Sequence, residues 1–208
     1  MRDIVFPNNN EEEFLKIAEK LGYDELMLVY HFDEKNTAQK KELEARILDL
    51  KKLTKIKIYY GMKANKNNII NAKKMNIITL AESNREDDRW IIEKGKPAII
   101  YNLEKDAKKD FIHQRNSGLN QVLCKLMKEN DVGLGISLSA IIEADKKEQG
   151  RILGRIMQNI RLAMKYKLST SVGSFCDNPY HMRGVNDIIS LLSKLGMNQS
   201  ETKKALQS

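Results

Sequence analysis

The sequence predicts an α/β chain folded as one (β/α) barrel-like domain over residues 1–208, and three observations lead there. Short β-rich runs alternate with amphipathic segments from end to end, about eight of each, the pattern of a parallel sheet with helices outside. Some runs, such as LMLVYHF at Leu26–Phe32, are continuously apolar, as strands buried on both faces are. No linker, low-complexity segment or internal repeat breaks the rhythm. Closure into a small barrel is preferred. An open doubly wound sheet is the competitor, because 208 residues is lean for a full barrel.

The elements follow in order. Asp3-Ile4-Val5-Phe6 reads as a first strand stopped by Pro7. Asn10, with Glu13 three residues on, forms a capping box for a helix with Phe14, Ile17, Ala18 and Leu21 on one face and Gly22 at its end. Leu26–Phe32 is the second strand. Thr37 opens a basic helix striped by Leu43, Ile47 and Leu50, and KIYYGM around Ile58–Met62 is the third strand. Asn67–Lys74 is a short helix, and Ile77–Leu80 the fourth strand. Ser83 and Glu86 form a second capping box, for a helix running through Trp90 to Glu93. Pro97–Tyr101 and Asp110–His113 read as strands five and six. Leu119, Val122, Leu123, Leu126 and Met127 then stripe a helix at i, i+3, i+4, i+7, i+8 spacing. Gly133–Leu138 is the seventh strand, and its GLG lacks the dinucleotide-binding pattern and eases strand packing instead. A long helix carries Ile152, Ile156, Met157, Ile160, Ala163 and Met164. Leu168–Val172 is the eighth strand, Val185 to Leu195 the last major helix, and Ser200 starts a tail helix.

Charge is unevenly placed. The net is +8, but residues 1–34 carry −6, 35–75 carry +9, 76–150 carry −1 and 151–208 carry +6. Two basic segments flanking a neutral middle suit a polyanion or, equally, lysine-rich solvated helix faces. No apolar run approaches the roughly 20 residues that span a bilayer, and MRDIVFPNNNEEEF lacks a signal-peptide apolar region. Cys124 and Cys176 are far apart, without CxxC spacing. They read as buried thiols in a reduced, cytoplasmic setting.

In a barrel, function belongs at the strand C-terminal ends. There the sequence places Asn8, Asn9 and Asn10; Asp33 and Glu34; Lys63, Asn65 and Lys66; Glu82 to Arg85; Gln114 to Ser117; Ser139; and Ser174. The three histidines, His31, His113 and His181, form no metal-binding pair. A magnesium site on Asp33 and Glu82 is conceivable but weak. No nucleophile elbow occurs, and Cys124 falls on an apolar-flanked helix. The stretch HQRNSGLNQ, residues 113–121, is richer. Ser117 as N-cap would leave Gly118, Leu119 and Asn120 presenting N–H groups to a phosphate, with Arg115 as counter-charge and Gln114 and Asn116 free for sugar or base edges. A plainly capped helix start fits equally well. His113 is expected as a core histidine, and Tyr59-Tyr60 and Trp90 as packing residues.

DFIHQRNSGLNQVLCKLMKENDVGLGISLSAII, Asp110–Ile142, resembles the central signature of the archaeal ribonuclease P protein component 3 family. The strand ending in His-x-Arg, the SGLNQVL helix, the KEN turn and the GISLS strand occur in the family's order and spacing. The resemblance implies a barrel similar to the polymerase-and-histidinol-phosphatase type but without its metal ligands. It implies a non-catalytic subunit of ribonuclease P, a ribonucleoprotein endonuclease that removes the 5′ leader of precursor tRNA, with the RNA subunit and its magnesium doing the hydrolysis. No cofactor would be held by the protein itself. Partners would be the ribonuclease P RNA, protein component 2, the other protein subunits and precursor tRNA, with no membrane. On charge and position, Lys63, Lys66, Arg85, Arg89, Arg115 and Lys125 are expected to contact RNA, with His113 and Ser117 shaping the loop. A stand-alone metal-dependent barrel phosphoesterase, or a scaffold for another ribonucleoprotein, are the rival readings.

Overall fold

Alternation along the strands decides the architecture. In the strand Glu25–His31, Leu26 and Leu28 pack outward with helices, whereas Met27 and Val29 point to the other face and meet Ile4, Leu80, Ile99, Tyr101 and Phe175 from other strands and the segment past the last one. A sheet apolar on both faces, one converging on itself and the other covered by helices, is a barrel. The structure, a computed structural model, describes residues 1–36, 38–105 and 109–207.

Among the described residues seven strands, all parallel, lie in sequence order: β1 Arg2–Val5, β2 Glu25–His31, β3 Lys57–Ala64, β4 Ile78–Glu82, β5 Ile99–Tyr101, β6 Gly133–Ser137 and β7 Thr170–Gly173. The main chain just past β7 returns to β1. Phe175 N–H donates to Ile4 O at 2.7 Å, Phe6 N–H donates to Cys176 O at 2.8 Å, and Val5 sits opposite Cys176 in a parallel bridge. Asp3 seals this seam. Its buried carboxylate accepts from the N–H groups of Ile4 (2.8 Å) and Ser174 (2.6 Å) and from Ser174 Oγ (2.7 Å). Burial pushes its carboxyl up to about 6 even though those bonds favour the charged form.

The expected sixth strand is absent. Asp110–His113 is irregular, with Phe111 exposed and Ile112 96% exposed. The reason is topological: β5 pairs directly with β6, Ile99 opposite Gly133 and Tyr101 opposite Gly135, so the sheet has no position left for it.

Around the barrel run α1 Glu11–Leu21, α2 Gln39–Leu50, α3 Ile69–Lys74, α4 Asp88–Trp90, α5 Gln121–Glu129, α6 Ser139–Ile142, α7 Lys146–Tyr166, α8 Val185–Lys194 and α9 Gln199–Ala205. Most of the expected stripes face inward: Phe14 and Ala18 on α1, Leu43, Ile47 and Leu50 on α2, and Ile152, Ile156, Ile160 and Ala163 on α7 are buried, whereas Val122 on α5 and Met164 on α7 are exposed, and Cys124 takes an inward position on α5 instead. Two capping boxes did not form. Asn10 Oδ1 accepts from Asn8 N–H and its Nδ2 reaches Asp177 O, so it is spent on the neighbouring loop. Ser83 donates to Asp88 Oδ2 and Asn84 N–H to Asp88 Oδ1, which delays the helix start to Asp88. From Trp90 the chain continues as a π-helix, Ile91–Gly95. The expectation that Thr37 starts α2 lies outside the described residues. Cys124 and Cys176 are buried and free, and burial raises both thiols, Cys124 to about 11.

Candidate functional site

Two places gather the candidate residues. The first is the barrel mouth at the C-terminal strand ends, a cavity of about 420 Å3 lined by Phe6, His31, Lys63, Glu82, Tyr101, Asn102, Lys105, Glu143 and Phe175 among others. Its rim is mostly polar, and aromatic rings pack together beneath it. Tyr101 stacks on Phe175 with ring centroids 4.9 Å apart, and Phe6 lies 5.5 Å from Tyr101. Lys63 Nζ stands 5.6 Å from the Phe6 ring centre and donates to Glu82 Oε2 at 2.6 Å, while Asn102 Nδ2 donates to Glu82 Oε1 at 2.8 Å. Partial burial raises the Glu82 carboxyl, but the bonds from Lys63 and Asn102 outweigh it and hold Glu82 below the usual carboxylate range. Across the mouth Lys105 pairs with Glu143 at 3.8 Å.

The second place is the signature loop after β5. Its main feature is attachment. Asp110 Oδ1 accepts from Arg155 Nε of α7 at 2.7 Å and from Asn116 N–H at 2.9 Å. Arg155, fully buried, also donates from Nη1 to Glu104 O at 3.0 Å. Next on α7, Gln158 Nε2 donates to Ser117 Oγ (2.9 Å) and Arg115 O (3.1 Å), and Asn159 Nδ2 to Ser117 O (3.0 Å). Burial moves the neighbouring Glu104 carboxyl up to about 7 against its own backbone N–H, Asn159, Arg155 and Lys105. Gly118 has φ 82°, and a Cβ there would stand 2.1 Å from Leu103 O, so only glycine lets the loop lie this close to the end of β5.

This geometry sorts the expected RNA-contacting residues. Arg89 and Lys125 are exposed, with Arg89 bound to Glu93 at 3.0 Å. Lys66 is ion-paired to Asp87 at 2.6 Å, and Lys63 to Glu82 as above. Arg85 is turned inward, its two Nη atoms donating to Asn116 Oδ1 and Asn116 O. Asn116 is therefore buried and occupied instead of free for sugar or base edges. Arg115 is half exposed, 3.4 Å from Asp110, with its guanidinium lying over Gly154 of α7. Ser117 is buried and is not the N-cap. Asn120 is, its Oδ1 accepting from Leu123 N–H at 2.9 Å, and α5 begins three residues later than that reading placed it. His113 is exposed and not a core residue, since the strand expected to bury it does not exist.

Arg115, Ser117 and His113 thus belong to the signature loop, with Arg85 tied to it through Asn116; Lys63 lines the mouth, and Lys66, Arg89 and Lys125 do not. Sequence reading passed over Tyr101 and Asn102, although their place at the end of the fifth strand was the signal. It also passed over Arg155, which looked like any surface base on a long helix. Among the described residues no three His, Cys, Asp or Glu side chains are grouped to hold a metal ion, and no helix is long and apolar enough to cross a membrane.

Comparison with known proteins gives a consistent picture. The family described as RNase P subunit p30 matches residues 6–208. Ribonuclease P protein component 3 of Methanosarcina mazei is 24% identical over 202 residues, 95% of this chain and 80% of that protein. Its namesake from Methanosarcina acetivorans is 28% identical over 123 residues, 57% of this chain and 52% of that protein, so the chain aligns with about half of the length of that relative. A chain in a cryo-EM structure of archaeal ribonuclease P with mature tRNA superposes with a TM-score of 0.78 at 20% identity, covering 100% of this chain and 87% of that one. That likeness establishes the same barrel-like fold.

Proposed function

The chain belongs to the RNase P subunit p30 family, and from that premise we propose that it is a protein subunit of ribonuclease P which binds the RNA subunit and assists removal of the 5′ leader from precursor tRNA. The single observation carrying this is the family match running from residue 6 to residue 208, signature loop included. In this reading the polypeptide supplies no catalytic group. The RNA and its magnesium break the bond, and the protein holds no cofactor. It works beside protein component 2 and the other subunits, on precursor tRNA, in the cytoplasm.

Its contribution is electrostatic and architectural. A net charge of +8 neutralises phosphates that a folded RNA must bring together, releasing counterions at each contact. Arg115, Arg89 and Lys125 are exposed enough to reach phosphate directly. Lys63 and Lys66 reach it by exchanging a carboxylate partner for a phosphate. Arg85, Ser117 and the neighbourhood of His113 act by shaping the loop. Glu82, the strand-end carboxylate a metal-dependent phosphoesterase would need, is engaged by Lys63 and Asn102, which favours the subunit reading over that rival.

Reconstitution tests it. Ribonuclease P RNA with all protein subunits should cleave precursor tRNA at limiting magnesium, and leaving out this chain should lower the rate. The purified chain alone, with magnesium, manganese or zinc, should cleave neither precursor tRNA nor a generic phosphoester. Turnover by the isolated chain that disappears on Glu82→Gln would overturn the proposal.

A further inference from the structure

Helix α7 contains two glycines one turn apart, Gly150 and Gly154, well inside a run where glycine is disfavoured relative to alanine. Their surroundings differ. Gly150 is exposed, and a Cβ there would meet nothing within 4 Å. Gly154 is buried. A Cβ there would stand 2.8 Å from Arg115 Nε, 2.5 Å from Nη1 and closer still to Cζ, and these are its three nearest atoms. The guanidinium of the signature loop fills the space that any side chain at 154 would need.

The order of those distances fixes how the group lies. An edge-on approach brings a nitrogen nearest; here the central Cζ is nearest, so the flat group turns its face to the helix. Its N–H bonds lie in that plane, and they run along the surface of α7 instead of into it. One edge is engaged: Nη1 pairs with Asp110 Oδ2 at 3.4 Å, and Asp110 is itself held by Arg155. The main chain is fixed too, because Gln158 Nε2 donates to Arg115 O at 3.1 Å. Gly154, Arg155 and Gln158 of one helix therefore hold the face, the edge and the backbone of Arg115. Its side chain still remains 49% exposed.

We propose that Gly154 is a positioning residue for RNA binding: its bare Cα is a seat that holds the Arg115 guanidinium flat on α7, with the donors not turned to Asp110 left for an RNA phosphate. The proposal rests on the subunit reading, which supplies the RNA. A flexible arginine loses side-chain freedom when it binds, and a seat removes part of that loss beforehand. It also keeps the planar fork in the orientation that paired bonds to two phosphate oxygens require. The seat accounts for a glycine where the helix by itself favours alanine.

The full chain is compared with Gly154→Ala, Gly150→Ala, Arg115→Ala and the double variant Gly154→Ala, Arg115→Ala. The readouts are melting temperature, binding to ribonuclease P RNA, and the NMR signal of the Arg115 Nε–H group, identified by its loss in Arg115→Ala. Gly154→Ala should melt no lower than the parent, because the atoms in its way are the movable end of a long side chain. Its Arg115 signal should move to the position of an unrestrained arginine, and RNA binding should weaken about threefold to tenfold. Without Arg115 the same change should leave RNA binding unaltered. Gly150→Ala should melt higher, with signal and binding as in the parent. A lower melting temperature for Gly154→Ala means that the fold itself needs the glycine and overturns the proposal. So does an unmoved signal, or a loss of binding that persists without Arg115. The two readings fail separately: RNA binding weakened by Arg115→Ala but not by Gly154→Ala removes the seat only. A signal that moves in a chain whose parent binds no ribonuclease P RNA removes the subunit reading, and with it the use assigned to the seat.

Discussion

Arg155, fully buried on α7, donates from Nε to Asp110 Oδ1 at 2.7 Å across 45 residues of sequence, and this pair is the centre of the attachment between the signature loop and the helix behind it. Arg155 is fully enclosed but Asp110 is 22% exposed, so the pair is partly buried, and removing one partner leaves the other's hydrogen bonds unmade. Arg155→Met should lose roughly 1–3 kcal/mol in urea unfolding and raise hydrogen exchange across residues 109–120. The double variant Asp110→Ala, Arg155→Met should lose clearly less than the sum of the two single changes. Additive losses would show that the pair is not coupled.

Gly118→Ala meets two obstacles, a positive φ of 82° and a carbonyl oxygen 2.1 Å from the new methyl. A destabilisation of at least about 2 kcal/mol is expected, together with poor recovery of folded protein. A variant as stable as the parent would mean that the loop lies farther from Leu103.

Arg115 and Arg85 should part company, although both are loop arginines in the sequence. Arg115 is half exposed in a 3.4 Å pair, worth about 0–1 kcal/mol. Arg115→Ala should therefore keep its melting temperature, weaken reconstituted activity at limiting magnesium, and flatten the log–log salt dependence of RNA binding by nearly one unit. Arg85→Ala should instead destabilise by roughly 1–3 kcal/mol, because it releases the side-chain and main-chain oxygens of buried Asn116. Equal stability losses in the two variants would contradict this division.

Asp3 predicts an unusual pH profile. Its folded carboxyl lies at about 6 against an ordinary 3.8, so the folded state holds the proton more tightly than the unfolded one. The group's stabilising contribution is complete below pH 3.8 and is lost as pH rises through 6. Asp3→Asn keeps an acceptor for the Ile4 and Ser174 N–H groups and can donate to Ser174 Oγ, while removing the buried charge. Urea midpoints should favour the variant by on the order of 3 kcal/mol at pH 8, with the advantage vanishing near pH 4. Parallel stability curves for the two proteins would refute the burial argument.

Much of the barrel was legible beforehand. The stripe Leu43, Ile47, Leu50 and the run Leu26–Val29 are buried as periodicity requires. The signature loop was legible as a feature but not in its roles. Ser117 and Asn120 are both competent caps; Gln158 and Asn159, some 40 residues away, claim Ser117 and leave the cap to Asn120.

The chain by itself determined where strands and helices recur, which faces are apolar and to which family the signature belongs, because periodicity and turn chemistry act between near neighbours. Tertiary structure alone decided that β5 pairs with β6 and turns Phe111–His113 out to solvent, that Arg85 faces Asn116, and that Asp3 closes the barrel onto Ser174. Those outcomes depend on groups up to 171 residues apart competing for the same buried hydrogen bonds, a competition that exists only once the sheet has closed.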